Sequence, residues 1–211
     1  MQISVNELEA QLNIRHTPEV QQKIKKSRIG IAGVGGLGSN VAVALARIGI
    51  GKLVVADFDL VEPSNLNRQY YFIDQIGMPK VLALQETVKR INPGVDFRAV
   101  HEKITPANLK KYFSGLDILV EAFDDADQKA MLISHFLREF PQIPLVAASG
   151  MAGFASANMI VTRKVANNLY LCGDGVTDAR PGQGLMAPRV GIAAHHQANA
   201  VLRLLLGEDP E

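Results

Sequence analysis

The sequence predicts an α/β fold in which a doubly wound, mostly parallel sheet has helices on both faces. Three observations support this prediction. Apolar runs of strand length alternate with longer segments of helical periodicity, a glycine-rich turn follows the first run, and an amphipathic segment closes the chain. The strand-length runs occupy residues 28–33, 52–57, 95–100, 117–122 and 143–148.

A helical arm, residues 1–27, is expected ahead of the sheet. Ser4 and Glu7 have the spacing of a capping box, which predicts a short helix. A second short helix is predicted for residues 18–26. Residues 28–150 then form a Rossmann-like core, in which the helices alternate with the five runs.

The last segment, residues 151–211, is expected to add a strand, a loop and a long helix. Residues 157–162 predict the strand, and residues 172–184 are rich in Gly, Asp and Pro, which is typical of a mobile surface loop. The helix is predicted over residues 185–206, with Pro188 near its start. We expect residues 1–211 to form one nucleotide-binding domain.

Composition excludes several classes of protein and site. The 211 residues carry 22 basic and 21 acidic side chains, so a net charge of +1 provides no broad surface for nucleic acid or anionic membrane. The acidic N-terminus does not resemble a signal peptide, and no apolar run reaches membrane-spanning length, so a cytoplasmic protein is expected. Cys172 is the only cysteine, which excludes an internal disulfide and a four-cysteine zinc site.

A glycine pattern predicts a nucleotide site. Gly33, Gly35 and Gly38 follow the first predicted strand as G-x-G-x-x-G and precede a helix, where backbone N–H groups can face a phosphate. Asp57 lies 19 residues after Gly38, at the end of the second predicted strand, where a carboxylate can bind ribose hydroxyls. The pattern does not say which nucleotide binds.

Two cations favour a triphosphate over a dinucleotide. Arg68 lies in an Asn-rich loop, and Lys80 lies at a predicted helix N-terminus. An arginine can bind phosphate oxygens with two parallel hydrogen bonds, and a lysine supplies a point charge. The competing interpretation is that both are solvated surface cations.

Asp124 and Asp125 follow the fourth predicted strand, which lies beside the first strand in a doubly wound sheet. Asp124 is therefore expected to face the glycine loop and to hold Mg²⁺, which needs only one or two protein carboxylates when phosphate and water complete its shell. Alternatively, the acidic pair simply begins the next helix. For Asp125 the two interpretations are balanced.

Several motifs together resemble the ThiF/MoeB/HesA family of adenylyltransferases, which act on ubiquitin-like sulfur carriers and are related to ubiquitin-activating enzymes. The resemblance covers residues 28–207, and the short ThiF-type proteins of thiamine biosynthesis are the most similar. The motifs are GVGGLG, the pair Asp57 and Asp59, SNLNRQ at 64–69, GMPK at 77–80, RINP at 90–93, the Asp124 turn and GLMAPRVG at 184–191.

The resemblance implies roles for individual residues. Gly36 approaches the nucleotide, Asp57 holds the ribose, and Asp124 acts through Mg²⁺. The N-terminal Arg15 would enter the ATP site of a partner subunit in a homodimer. The residues that line the phosphate path would be Ser64, Asn65, Arg68, Gln69 and Lys80.

The implied reaction joins ATP to the C-terminal glycine carboxylate of a carrier protein ending in Gly-Gly, giving an acyl-adenylate and pyrophosphate. That carboxylate is already ionised at neutral pH, so no general base is required. Arg68, Lys80 and Mg²⁺ would neutralise the phosphate charge that develops. His195 and His196 then need no catalytic role.

The sequence departs from the family pattern in its cysteines. It lacks the two Cys-x-x-Cys pairs that bind zinc in many relatives, so no zinc is expected. Cys172 lies near the loop in which some relatives carry a sulfur-transfer cysteine, but its surroundings do not match. It is expected to be a small buried hydrophobe that adenylylation does not need.

Other functions remain open. The carboxylate could belong to a molybdopterin-type carrier or to a modified tRNA base, although the near-neutral charge disfavours RNA. An NAD(P)-dependent oxidoreductase would explain the glycine loop but not Arg68, Lys80 and Asp124. A silent scaffold that binds a ubiquitin-like protein without ATP would leave those charged positions unexplained.

Overall fold

The computed structural model describes residues 3–211 and confirms the α/β prediction. The α-helices and strands alternate through most of the chain. The helices are α1 Val5–His16, α2 Pro18–Lys26, α3 Gly36–Arg47, α4 Lys80–Ile91, α5 Pro106–Phe113, α6 Ala126–Glu139 and α7 Ala187–Leu206. The strands are β1 Arg28–Ala32, β2 Lys52–Ala56, β3 Asp96–Val100, β4 Ile118–Glu121, β5 Leu145–Ala148, β6 Val161–Ala166 and β7 Leu169–Gly173.

The seven strands form one sheet in the order β3-β2-β1-β4-β5-β7-β6. All neighbours pair in parallel except β6 and β7, which form an antiparallel edge. The chain builds outward from β1 to β3 and then returns to place β4 on the other side of β1. A doubly wound sheet opens a crevice for ligands at this switch point, at the carboxyl ends of the strands.

Apolar side chains cover both faces of the sheet. One buried cluster contains residues of β1 and β2 together with residues of α3, α4 and α7. A second cluster packs α5 and α6 against the opposite face. Because each face is covered, the central strands are apolar except at one end, where β1 begins with Arg28, β2 begins with Lys52 and β4 ends with Glu121. This explains why their runs are visible in the sequence.

The arm forms as predicted. Ser4 accepts a hydrogen bond from the Glu7 backbone, and the Glu7 carboxylate bonds back to Ser4, so the capping box is complete. The helix predicted over residues 18–26 is α2. None of the described helices is long and apolar enough to cross a membrane.

Two predictions about the C-terminal segment are wrong. Residues 157–162 were expected to form a strand, but Ala157–Met159 is a short 3₁₀ helix and the strand begins at Val161. The loop expected from residue 172 begins after Gly173, because Leu169–Gly173 is β7 and pairs with both β5 and β6. The apolar run Leu169–Cys172 is itself typical of a strand, and the predicted loop wrongly took in the last two residues of β7, Cys172 and Gly173.

Candidate functional site

A cavity of about 720 Å³ opens at the carboxyl edge of the sheet, over β1, β2, β4 and β5. Most of the residues predicted for the nucleotide site lie in its wall. Those residues are Gly33, Gly35, Gly36, Asp57, Arg68, Gln69, Lys80, Asp124 and Asp125.

The glycine loop forms a close turn at the floor of the cavity. Gly33 has a φ of +87°, and a Cβ there would lie 2.8 Å from the Ala122 carbonyl oxygen. Gly38 does not line the cavity. A Cβ at Gly38 would lie 1.9 Å from the Gly33 carbonyl oxygen, so only glycine allows α3 to pack this closely on the loop. Gly35 precedes α3 without a side-chain cap among the described residues. The first N–H groups of α3 therefore point toward the cavity, where an anion can accept from them.

Asp57 is buried beside this loop and holds it. One carboxylate oxygen accepts from the Val34 N–H at 2.7 Å, and the other accepts from the Asp59 N–H at 2.8 Å. Burial raises the pKa of Asp57, while these two hydrogen bonds act in the opposite direction. Each carboxylate oxygen can accept a further hydrogen bond, so the arrangement leaves capacity for ribose hydroxyls.

Lys80 is buried in the cavity wall, with 6% of its surface exposed. Its Nζ lies 2.7 Å from the Asp59 carboxylate, which is half-exposed. The interpretation of Lys80 as a solvated surface cation is therefore wrong. An ammonium that is already desolvated interacts with an incoming phosphate more strongly than one in bulk water.

Arg68 reaches the cavity from the loop between β2 and α4. Its Nη1 donates to the Asn67 side-chain oxygen at 2.8 Å and to the Ser64 carbonyl at 3.2 Å. Asn65 is buried and accepts from the Glu62 N–H at 3.0 Å, so it shapes the turn that presents Arg68. Ser64 and Asn65 do not line the cavity themselves.

Asp124 and Asp125 both line the cavity, as the pairing of β1 with β4 requires. The Asp125 carboxylate caps α6 by accepting from the Gln128 N–H at 2.8 Å. Asp124 is exposed, and within residues 3–211 its carboxylate has no hydrogen bond or ion pair. The same residues contain no group of three side chains suited to a metal. One carboxylate beside a triphosphate is nevertheless the donor set that Mg²⁺ uses in nucleotide sites.

Arg15 lies elsewhere, exposed on α1 and outside the cavity wall of its own chain. Cys172 is fully buried in β7, and burial raises the pKa of its thiol to about 11. His196 Nδ1 lies 3.1 Å from the Thr162 hydroxyl, and His195 Nδ1 contacts the carbonyl of Gly191 in its own helix. Neither histidine lines this cavity.

Two buried ion pairs near the cavity were not predicted. Glu121, at the end of β4, is fully buried and pairs with Lys129, which lines the cavity. Asp174 and Arg189 form a second pair at 2.7 Å. A lone acid at the end of an apolar run could have indicated that Glu121 is buried and needs a charged partner. That partner, Lys129, lies on α6, so only the packing of α6 on the sheet brings the two charges together.

The comparison with known families decides the classification. The ThiF family model matches residues 8–211. The chain belongs to the ThiF family. This confirms the resemblance to ThiF/MoeB-type adenylyltransferases and supports an enzyme of the nucleotidyltransferase class.

Two curated relatives of this ThiF-family chain have different names. It is 31% identical over 192 residues to the sulfur carrier protein ThiS adenylyltransferase of Escherichia coli K12, with 89% of this chain and 75% of the relative covered. It is 34% identical over 150 residues to the tRNA threonylcarbamoyladenosine dehydratase of the same strain, with 70% of this chain covered. The chain spans 55% of the dehydratase's length.

The fold also matches solved structures of the family. A crystal structure of the E. coli tRNA N6-threonylcarbamoyladenosine dehydratase in complex with ATP superposes with a TM-score of 0.86, and the match covers 98% of each chain at 24% identity. At this identity the likeness establishes the fold alone.

Proposed function

We propose that this chain binds Mg·ATP in the cavity and adenylylates a carboxylate, with release of pyrophosphate. One observation carries the proposal. The open N-terminus of α3, the Asp57 carboxylate, two cations and Asp124 all line a single cavity. Membership of the ThiF family and similarity to a protein named as an adenylyltransferase support the same activity.

The site suits phosphoryl chemistry that proceeds by positioning and charge neutralisation. A carboxylate oxygen attacks the α-phosphorus, the bond between the α-phosphorus and the bridging oxygen breaks, and pyrophosphate leaves with the electron pair. The N–H groups of α3 and the side chains of Arg68 and Lys80 neutralise charge on the phosphate oxygens. The attacking carboxylate is ionised at neutral pH, so no protein base has to remove a proton.

The nucleotide would lie along the strand ends. Asp57 would accept from the ribose hydroxyls, and Ser64, Asn65 and Gln69 would shape the phosphate path around Arg68. Asp124 would hold Mg²⁺, and Asp125 would support it by capping the helix that follows. When bound, Mg²⁺ would supply additional positive charge to the triphosphate.

For the acceptor we propose the C-terminal glycine carboxylate of a ubiquitin-like sulfur carrier of the ThiS type, as in thiamine biosynthesis. The support is the match to a ThiS adenylyltransferase, which extends over 89% of this chain. In this proposal residues 151–211 provide the carrier-binding loop and the C-terminal helix of a single domain. A molybdopterin-type carrier would present the same chemical group.

The second candidate acceptor is a carboxylate on a modified tRNA base. The observation that favours it is the similarity to a tRNA threonylcarbamoyladenosine dehydratase. The net charge of +1 disfavours it, because binding to a phosphate backbone needs a basic surface.

Exchange of radiolabelled pyrophosphate into ATP tests the proposal. The wild-type chain is assayed alone, with a carrier protein ending in Gly-Gly, with the same carrier lacking its last glycine, and with modified tRNA. Exchange that requires the intact carrier supports the ThiS-type acceptor, and exchange that requires tRNA supports the second candidate. No exchange with any acceptor, together with tight NAD binding, would exclude adenylylation.

A matched pair of lysine variants ties exchange to the cavity. Lys80→Met removes the buried cation, whereas Lys110→Met removes a lysine that is 72% exposed and pairs with Glu139. Loss of a hydrogen bond to a charged group costs about 1.5–3 kcal/mol. The Lys80 variant should therefore show a rate of pyrophosphate exchange that is about 10- to 150-fold lower than that of wild type. The Lys110 variant should retain the wild-type rate.

A further inference from the structure

The buried pair of Asp174 and Arg189 joins the start of the loop after β7 to the first turn of α7. Only 1% of the Asp174 side chain and 4% of the Arg189 side chain are exposed. Arg189 Nη2 donates to Asp174 Oδ2 at 2.7 Å, while Nη1 donates to the Ala152 carbonyl at 2.7 Å and to the Thr177 hydroxyl at 3.0 Å. One guanidinium therefore binds two separate loops.

Asp174 is held from the other side by its own loop. Its Oδ1 accepts from the N–H groups of Val176 and Thr177 at 2.8 and 2.9 Å, and its Oδ2 accepts from the Thr177 hydroxyl at 2.8 Å. Burial alone would raise the pKa of Asp174, but the hydrogen bonds from Thr177, Val176 and Arg189 hold it well below its usual range. The Asp174 carboxylate is therefore ionised at neutral pH and can pair with the Arg189 guanidinium.

The loop after β5 fits closely against this pair. Gly150 has a φ of +77°, and a Cβ there would lie 2.0 Å from Asp174 Oδ1. The Asp174 N–H also donates to the Gly150 carbonyl at 2.9 Å. Asp174 and Arg189 thus fix the positions of both loops relative to α7.

These two loops form one side of the cavity, through residues 149–152 and 177–179. They follow β5 and β7, whereas the glycine loop, Asp57 and Lys80 belong to the β1 and β2 side of the sheet. A nucleotide that uses the β1 and β2 side leaves the β5 and β7 side for the second substrate. Val190, next to Arg189, lines the cavity and would lie 3.0 Å from a Cβ on Gly36, so α7 connects the two sides.

We propose that Asp174 and Arg189 are positioning residues for the acceptor carboxylate, because they hold the β5 and β7 loops at the spacing that admits it beside the α-phosphate. This inference rests on the proposed adenylylation and adds to it a division of the cavity. The nucleotide side is organised by the glycine loop, and the acceptor side is organised by one buried ion pair.

The test uses a double variant that leaves no buried charge alone. Asp174→Asn combined with Arg189→Met keeps an oxygen for the Val176 and Thr177 N–H groups, and it removes the guanidinium contacts to Ala152 and Thr177. Replacing both charges avoids the large penalty of an unpaired buried ion, so the chain should still fold. The control is Asp96→Asn, which breaks the Lys52–Asp96 pair, whose Asp96 side chain is 65% exposed.

Three measurements on the full chain decide the outcome. Calorimetric titration with Mg·ATP should give a Kd within about twofold of wild type. Amide hydrogen exchange should accelerate at least tenfold in residues 149–153 and 174–179 but not in the glycine loop. With the Gly-Gly carrier as acceptor, its KM should rise at least tenfold, with a smaller change in kcat.

Unchanged rates of amide hydrogen exchange in both loops would overturn the inference. An equal rise in the Kd for Mg·ATP and in the KM for the carrier would also overturn it. Failure of the proposed function is separable, because it appears in the wild-type chain as absent Mg·ATP binding or absent pyrophosphate exchange. If the wild type binds Mg·ATP but uses no Gly-Gly carrier, hydrogen exchange and the Kd for Mg·ATP still decide whether the pair organises one side of the cavity alone.

Discussion

Asp124 and Asp125 are neighbours in the sequence but differ in what their carboxylates contact. Asp125 caps α6, whereas Asp124 faces the cavity without a hydrogen bond or ion pair among the described residues. A helix cap contributes to stability, and an open carboxylate beside a phosphate site contributes to binding or catalysis. The two positions should therefore separate stability from activity.

We expect Asp124→Ala to lower pyrophosphate exchange by more than tenfold with little change in thermal stability. Asp125→Ala should lose about 1 kcal/mol of unfolding free energy because the helix cap is lost. Its effect on pyrophosphate exchange should be smaller than that of Asp124→Ala. Exchange assays at saturating Mg²⁺ and urea denaturation measure the two effects. A loss of exchange below tenfold for Asp124→Ala, equivalent to less than about 1.4 kcal/mol, would contradict a metal-binding role.

Glu121 predicts a pH dependence of stability. Burial raises its pKa above the ordinary value of 4.5, and the ion pair with Lys129 offsets only part of this effect. A carboxyl whose pKa is raised on folding stabilises the protein below the unfolded pKa, and that contribution is lost as pH rises through the folded value. Glu121→Gln, which cannot ionise, should therefore gain stability relative to wild type as pH rises from 4 to 8. Urea denaturation across this range measures the difference in unfolding free energy between Glu121→Gln and wild type. The control is Glu86→Gln, at an exposed position on α4. A difference that does not change with pH would contradict the raised pKa of Glu121.

At the element scale, β7 determines the chemistry of the single cysteine. The strand places Cys172 between β5 and β6, where its Sγ is buried and lies 3.5 Å from the Thr162 hydroxyl. With a pKa of about 11, the thiol is almost entirely protonated at neutral pH and is a poor nucleophile. In the folded chain described here, β7 does not present Cys172 to the cavity.

Cys172→Ser should leave the rate of adenylylation within about threefold of wild type, a barrier change of about 0.65 kcal/mol, because Cys172 is buried and does not line the cavity. Iodoacetamide should modify the wild-type thiol only after denaturant is added, as mass spectrometry can measure. Abolished pyrophosphate exchange in this variant, or rapid alkylation of the native protein, would show that Cys172 is accessible to substrate.

At the scale of the whole molecule, the position of Arg15 bears on assembly. Arg15 is exposed on α1, a helix with no buried residue, and it lies outside the cavity of its own chain. If the chain forms a homodimer, Arg15 can complete the site only from the partner subunit. This arrangement stays a prediction that mixing of two impaired variants can test.

Arg15→Ala and Lys80→Met should each be strongly impaired alone, the Lys80 variant by about 10- to 150-fold, and activity should rise above both when their subunits are exchanged. Random exchange would give about half heterodimers, each with one complete site, so about a quarter of wild-type activity is expected. Pyrophosphate exchange after mixing measures the recovery, and sedimentation velocity measures the assembly state. A monomer in solution, or no recovery after verified subunit exchange, would contradict a shared site.

The pattern of the sequence was most informative where local chemistry decides the structure. The glycine turn, the apolar central strands and the capping box at Ser4 depend on neighbouring residues, so all three could be predicted. The strand β7 was not predicted although Leu169–Cys172 is an apolar run, and its place between β5 and β6 depends on pairing with strands distant in the chain. Lys80 was predicted to line the phosphate path, but only the packing around it showed that it is buried and paired with Asp59.

The sequence by itself determined the alternation of strands and helices, because hydrophobic periodicity is a local property of the chain. It also determined the phosphate-facing turn and the membership of the ThiF family, because both are carried by motifs of neighbouring residues. Only the tertiary structure decided which charged groups meet. Glu121 with Lys129, and Asp174 with Arg189, are paired because separate elements pack together around the cavity. Ion pairs between distant elements depend on the relative positions of those elements, and no local pattern in the chain encodes those positions.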